Sequence, residues 1–110
     1  MAMPELTPEQ RERALAKALE MRRARAAFVA SLKSGEVTMA QALAQAKENP
    51  VIGKTRVRQA LRALPGWGVA RVDALMEIVK IPDSRRLAGL GKSQCESLLR
   101  GLREDPLGNA

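Results

Sequence analysis

The amino-acid sequence predicts an all-α fold. Apolar residues recur at intervals of three and four along most of its 110 residues, and no segment alternates in the manner of a strand. Glycine and proline divide this pattern into separate helices. The length suits one small domain, and because alanine supplies much of the 45% apolar content, we expect a thin core.

The first predicted helix is long. Thr7 is suited to cap it, Pro8 to occupy its first position, and Gln10 to complete a capping box. Neither glycine nor proline follows until Gly35, so the helix is expected to extend to Lys33. Its apolar residues form one weak stripe with two residues beside it: Leu15, Leu19, Ala26 and Val29, then Phe28 and Leu32.

Shorter helices are predicted in the rest of the chain. The second begins at Thr38 and ends before Asn49, because Pro50 follows. The third spans 54–64, and the fourth follows the turn at 65–68 and ends near residue 80. Two turns and a last helix are expected at 81–90 and 91–103. The residues predicted to face inward are Val57, Ala60, Leu61, Leu64, Val72, Leu75, Met76, Val79, Leu98, Leu99 and Leu102.

The charge distribution indicates an acidic partner. The net charge is +7, and no acid occurs between Glu48 and Asp73. Five basic residues fall in that interval: Lys54, Arg56, Arg58, Arg62 and Arg71. The simpler alternative is a basic face that only keeps the protein soluble.

Composition argues against an enzyme, a metal site or a cofactor. The chain has no histidine, and its one cysteine, Cys95, forms neither a zinc site nor a redox pair. Its carboxylates are scattered, and Lys54 and Lys92 lack a desolvating pocket for Schiff-base chemistry. No apolar run is long enough for a membrane span or a signal peptide, so the cytoplasm is expected.

Two glycine-containing turns are candidate phosphate sites. The sequence LPGWG at 64–68 precedes a helix, whose first N–H groups lack intrahelical partners and attract anions. Arg71 adds a charge one turn later. The second turn lies in DSRRLAGLGKSQ at 83–94, where paired arginines and two glycines precede another helix start. The structural alternative is that these glycines only end helices, with the arginine side chains lying over the core. Two phosphate sites separated by one helix, however, suit the two strands of a duplex backbone.

These segments resemble a known family. The run VIGKTRVRQALRALPGWG, the helix after it, SRRLAGLGKSQ and the opening PELTPEQRERALAKA closely resemble the actinobacterial type of integration host factor. The resemblance implies a long N-terminal helix (1–35) packed on a small helix-two-turn-helix (H2TH) domain of about four helices (36–104), with a flexible tail (105–110). Similar domains occur in a small-subunit ribosomal protein and in formamidopyrimidine-type DNA glycosylases.

The function implied by this resemblance is architectural. Members of the family are nucleoid-associated proteins that bind double-stranded DNA as monomers, bend or compact it, affect supercoiling and support phage integration. The implied partners are therefore DNA and, on DNA, a phage integrase or topoisomerase. We keep three alternatives: an RNA-binding, ribosome-associated protein, a DNA-repair lyase or glycosylase, and a protein adaptor that uses the long helix.

The predicted site residues are chosen on two grounds, the family resemblance and the chemistry of the two turns. By position, the family's DNA-contacting residues fall on Lys54, the loop 66–68, and five residues of the second turn, which are Ser84, Arg85, Arg86, Gly91 and Lys92. Neighbouring cations and other residues of the two turns complete the set. The predicted DNA-binding residues are Lys54, Arg56, Arg58, Gly66, Trp67, Gly68, Arg71, Ser84, Arg85, Arg86, Gly89, Gly91, Lys92 and Ser93. Val69 and Ala88 replace basic residues usual in the family, while Arg58 adds a charge where a small polar residue is typical.

Trp67 also departs from the family, which has a small hydrophobe at this position. One interpretation is a wedge that enters the minor groove of DNA and kinks the duplex. The favoured interpretation is a core residue, because one buried indole contributes much to a core with few large side chains.

Overall fold

A computed structural model describes residues 6–103 of the chain. These residues form six α-helices and no strand, which confirms the predicted all-α fold. The helices are α1 (Pro8–Ser34), α2 (Met39–Gln45), α3 (Pro50–Gly53), α4 (Val57–Ala63), α5 (Val69–Val79) and α6 (Lys92–Arg103), with a 3₁₀ turn at Leu87–Gly89. The predicted flexible tail, 105–110, lies outside the described residues.

Local capping fixes both ends of α1. The Thr7 hydroxyl accepts from the Gln10 amide at 3.1 Å, and the Gln10 side chain accepts from the Thr7 amide at 2.9 Å. Gly35 ends the helix with φ of 81°, a left-handed conformation that glycine adopts without strain.

Only the C-terminal half of α1 contributes to the core. Phe28 and Leu32 are buried, whereas Leu15 and Leu19 are 65% and 45% exposed. Phe28 and Leu32, which were predicted to lie beside the apolar stripe, are thus the residues of α1 that pack inward. The reason is tertiary: α1 packs on α3 and α4, and its first turns extend past them.

The segment between α2 and α4 differs from the prediction. The second helix ends at Gln45, and a separate short helix, α3, begins after Asn49, whose side chain accepts from the amides of Val51 and Ile52. The next helix begins at Val57, three residues later than predicted. The helix α3 was not predicted, because it has only four residues and is defined by its cap.

Residues 54–56 leave the helical path because they pair with a distant segment. The Val57 amide donates to the carbonyl oxygen of Arg85 at 3.0 Å, and the Leu87 amide donates to that of Thr55 at 3.0 Å. The two bonds form an isolated bridge between Arg56 and Arg86. Thr55 is buried there, and its hydroxyl donates to the carbonyl oxygen of Val51 at 2.8 Å.

The core lies between all six helices of the described residues, and α2 contributes Met39 and Ala42 to it. Every residue predicted to face inward is buried, except that Val79 and Leu99 are only partly buried. Small residues allow close packing: Gly53 is buried beside Ala46, and Gly101 lies against Leu75. Within residues 6–103, no helix is long and apolar enough to cross a membrane.

Candidate nucleic-acid interface

The first turn connects α4 to α5. Its Gly66 has φ of 80°, and the Trp67 amide closes the turn by donating to the carbonyl oxygen of Leu64 at 3.1 Å. Gly68 is the N-cap residue of α5, and no side chain caps this helix. A Cβ at Gly68 would meet no atom within 4 Å, so the start of α5 is open to an approaching anion.

Arg71 braces this turn from the first part of α5. Its Nη1 donates to the carbonyl oxygen of Gly66 at 2.9 Å. Its guanidinium also lies 4.9 Å from the centroid of the Trp67 ring, a cation–π distance. Arg71 therefore stabilises the first turn through its contacts with Gly66 and Trp67. It was predicted to contact phosphate at the same turn.

Trp67 belongs to the core. Its side chain joins the buried cluster and is only 7% exposed, which confirms the core interpretation for the unbound protein. The indole Nε1 is buried and has no hydrogen-bond partner among the described residues. A wedge in DNA would require this ring to leave the core.

The second turn combines a 3₁₀ turn with the start of α6. Arg85 stabilises it, since its Nη1 donates to the carbonyl oxygen of Gly89 at 2.9 Å. The Gly91 amide donates to the side chain of Gln94 at 3.2 Å, so this predicted phosphate donor already has an internal partner. Lys92 and Ser93 are exposed in the first turn of α6.

A basic cluster forms where residues 54–57 meet residues 84–87. The backbone bridge brings Arg56 beside Arg86, and both side chains are exposed. Lys54, also exposed, immediately precedes this bridge, and Ser84 is exposed in the turn before it. The fold thus joins predicted residues that lie about 30 positions apart in the sequence.

Arg58 supplies less uncompensated charge than the sequence predicts. Its guanidinium forms ion pairs with Asp73 and Asp83. Hydrogen bonds to Asp73 and then to Asp83 raise the pKa of Arg58 above its ordinary value. This pairing was not predicted, because both acids lie outside the acid-free stretch that contains Arg58.

Two cations near the first turn, Lys33 and Arg62, are absent from the predicted DNA-binding residues, although Arg62 belongs to the acid-free basic stretch. They line a groove of about 620 Å³ between the C-terminal end of α1 and α4. Both also line a smaller depression of about 320 Å³ beside the first turn. The basic residues were visible in the sequence, but no local pattern placed α1 alongside α4.

The chemistry of this surface suits anion binding. It offers the open start of α5 and several exposed cations. Among residues 6–103, no group of three or more histidine, cysteine, aspartate or glutamate residues is placed to hold a metal. Cys95 lies apart from the basic cluster, on α6, and burial raises the pKa of its thiol.

Comparisons with known proteins agree with this geometry. Residues 32–102 match the family model of the S13-like H2TH domain. Over 100 residues the chain is 46% identical to the integration host factor of Streptomyces coelicolor, covering 91% of this chain and 94% of that protein. It is 43% identical over 99 residues to the integration host factor of Mycobacterium tuberculosis, with coverage of 90% and 94%.

A solved structure extends the similarity to three dimensions. It is described as sIHF bound to an 8bp palindromic DNA, and it superposes with a TM-score of 0.74 at 41% identity. The match covers 77% of this chain and 96% of that chain.

Proposed function

This chain belongs to the integration host factor family and carries an S13-like H2TH domain, and on that premise we propose that it binds double-stranded DNA as a nucleoid-associated architectural protein. The observation that carries the proposal is the open start of α5 on the same small domain as the basic cluster of Lys54, Arg56 and Arg86. The similar structure described as bound to an 8bp palindromic DNA supports duplex DNA as the ligand.

The proposed contacts are to phosphates rather than to base edges. Backbone amides at a helix start and exposed lysine and arginine side chains position a protein on DNA without reading its sequence. The described turns offer these groups, since no side chain caps the start of α5 and Lys54, Arg56 and Arg86 are exposed. Little sequence preference is therefore expected.

The wider role is proposed from the family. We propose that the protein acts as a monomer, bends and compacts DNA, affects supercoiling and supports phage integration, with integrase or topoisomerase as partners on DNA. Its place in the cell would then be the nucleoid. No catalytic step is proposed, and the relatives compared here carry the name of a host factor rather than of an enzyme.

Salt titration tests the proposed function. The affinity for a labelled duplex, measured by fluorescence anisotropy, should fall steeply as salt rises, because bound cations release counterions from the DNA. With about four to seven phosphates neutralised, the logarithm of the association constant against that of salt should have a slope of roughly −4 to −6. A slope near zero would contradict electrostatic binding.

Substitutions in the basic cluster test where the phosphates bind. The double variant Lys54→Gln/Arg86→Gln should bind unrelated duplexes about equally weakly, and its salt slope should decrease in magnitude by about 1.8. Arg100→Gln, an exposed substitution further along α6, serves as the control. A loss confined to one DNA sequence would instead indicate base readout.

RNA binding is the second candidate. It is favoured by the match to the S13-like H2TH domain, because a similar domain occurs in a small-subunit ribosomal protein. An RNA backbone offers the same phosphates to the same turns. Competition between duplex DNA and duplex or hairpin RNA of equal length, at equal salt, separates the two candidates. We expect DNA to compete more strongly, and preferential displacement of DNA by RNA would favour the alternative.

A further inference from the structure

The groove between α1 and α4 is basic along its length. Its cations are Lys33 from α1 together with Arg56, Arg58 and Arg62 from α4 and its N-cap. Lys33, Arg56 and Arg62 are exposed. The acid that lines this groove, Asp83, is paired with Arg58, so three cations face the groove without an acidic partner in it.

The groove also connects the two turns. At one end, Arg56 belongs to the basic cluster through its bridge to Arg86. At the other end, Lys33 and Arg62 line the depression formed by residues 63–68, which include the first turn. Because Arg56 and Arg62 are six positions apart, they lie about 9 Å apart along the helix axis.

The shape of the groove suits an extended, charged chain. Its lining includes the apolar side chain of Ala63 beside the cations of α4 and its N-cap. The successive phosphates of one DNA strand form a row of negative charges, so cations spaced along α4 and its N-cap can contact more than one of them. Val29 and Lys33 lie one helical turn apart on α1 and form the opposite wall.

We propose that this α1–α4 groove holds the sugar-phosphate backbone of one DNA strand between the two turns, with Lys33 and Arg62 as phosphate contacts. The proposal rests on the proposed DNA-binding function and extends its contact surface beyond the turns. It also gives α1 a direct role in binding, since one wall of the groove comes from that helix.

The double variant Lys33→Gln/Arg62→Gln tests the groove in the full chain. Its affinity for a labelled duplex should fall on the order of tenfold near physiological salt, and its salt slope should decrease in magnitude by about 1.8. The charge-conserving variant Lys33→Arg/Arg62→Lys should retain the wild-type slope. Arg100→Gln does not line the groove and serves as the matched control.

Folding and function can be separated in the same experiment. Both groove side chains are exposed, so the thermal unfolding of the double variant, followed by circular dichroism, should match that of the wild type. A wild-type slope in the double variant, with a reduced slope in Lys54→Gln/Arg86→Gln, would overturn the groove and leave the proposed function intact. A wild-type protein with no salt-dependent DNA binding would overturn both.

Discussion

Gly53 allows α3 to pack directly against the backbone that follows α2. A Cβ at this position would lie 2.2 Å from the carbonyl oxygen of Ala46 and 3.0 Å from the Cβ of Ala88. At Gly101 the closest atom to such a Cβ would be Cδ1 of Leu75, at 2.5 Å. The two glycines thus differ in what must move: backbone in the first case, the end of a side chain in the second.

This difference predicts unequal effects of Gly53→Ala and Gly101→Ala. Gly53→Ala should lower the free energy of unfolding by about 1–3 kcal/mol, because a carbonyl fixed in a helix end must shift. Gly101→Ala should change it by less, since a gain of about 1 kcal/mol in helix propensity offsets the displacement of Leu75. Urea unfolding of the two variants measures both values, and a larger loss at Gly101 would contradict this account.

Trp67 provides a second test at the residue scale. The chain has one tryptophan and no tyrosine, so its fluorescence on excitation of the indole reports this residue alone. Because the ring is 7% exposed, emission of the free protein should be blue-shifted relative to tryptophan in water. Added duplex DNA should leave the emission nearly unchanged, whereas strong quenching would indicate that the ring leaves the core to contact DNA.

Local sequence signals predicted the helix starts at Thr7 and Thr38 but not the helix boundaries that depend on distant segments. The capping boxes at Thr7 and Thr38 both form, because each depends only on residues within one turn. Thr55 and Arg56 were predicted to be helical, yet residues 55–57 pair with residues 85–87 through backbone hydrogen bonds. Such pairing depends on how distant segments come together in the fold, and the local spacing of apolar residues does not indicate this.

The two halves of α1 should contribute unequally to stability. Phe28→Ala should cost about 3–5 kcal/mol, because it removes one of the few large side chains of the core. Leu15→Ala should change stability by less than about 0.5 kcal/mol, because Leu15 is exposed. Urea unfolding checks both values, and a comparable loss at Leu15 would show that the first half of α1 is covered in solution.

At the scale of the whole molecule, α1 makes the protein elongated. The chain measures 54 × 32 × 25 Å and has a radius of gyration of 16.5 Å, against about 13 Å for a compact domain of 100 residues. The two turns were recognisable in the sequence because each contains two glycines, with Arg71 one turn after the first and Arg85 and Arg86 within the second. The groove between α1 and α4 was not, because its walls come from residues 29–33 and 56–63.

The fold also redistributes charge within the proposed binding surface. The acid-free stretch predicted that all its cations would be available to an anionic partner. Asp73 and Asp83 instead reach Arg58 from later parts of the chain. Because the pairing raises the pKa of Arg58 above its ordinary value, any stabilisation from it is fully present below that ordinary value and is lost only as pH rises through the raised pKa. Its charge is therefore constant near neutral pH.

Asp83→Asn should strengthen DNA binding under the proposed function. The substitution removes a negative charge from the lining of the α1–α4 groove and releases one of the two partners of Arg58. The affinity for a labelled duplex should rise several-fold at low salt, with a steeper salt slope, because more positive charge faces the phosphates. Glu77→Gln, an exposed change of equal charge on α5, is the control and should have a smaller effect. Weaker binding by Asp83→Asn would instead show that its ion pair with Arg58 holds residues 83–85 in the geometry that DNA requires.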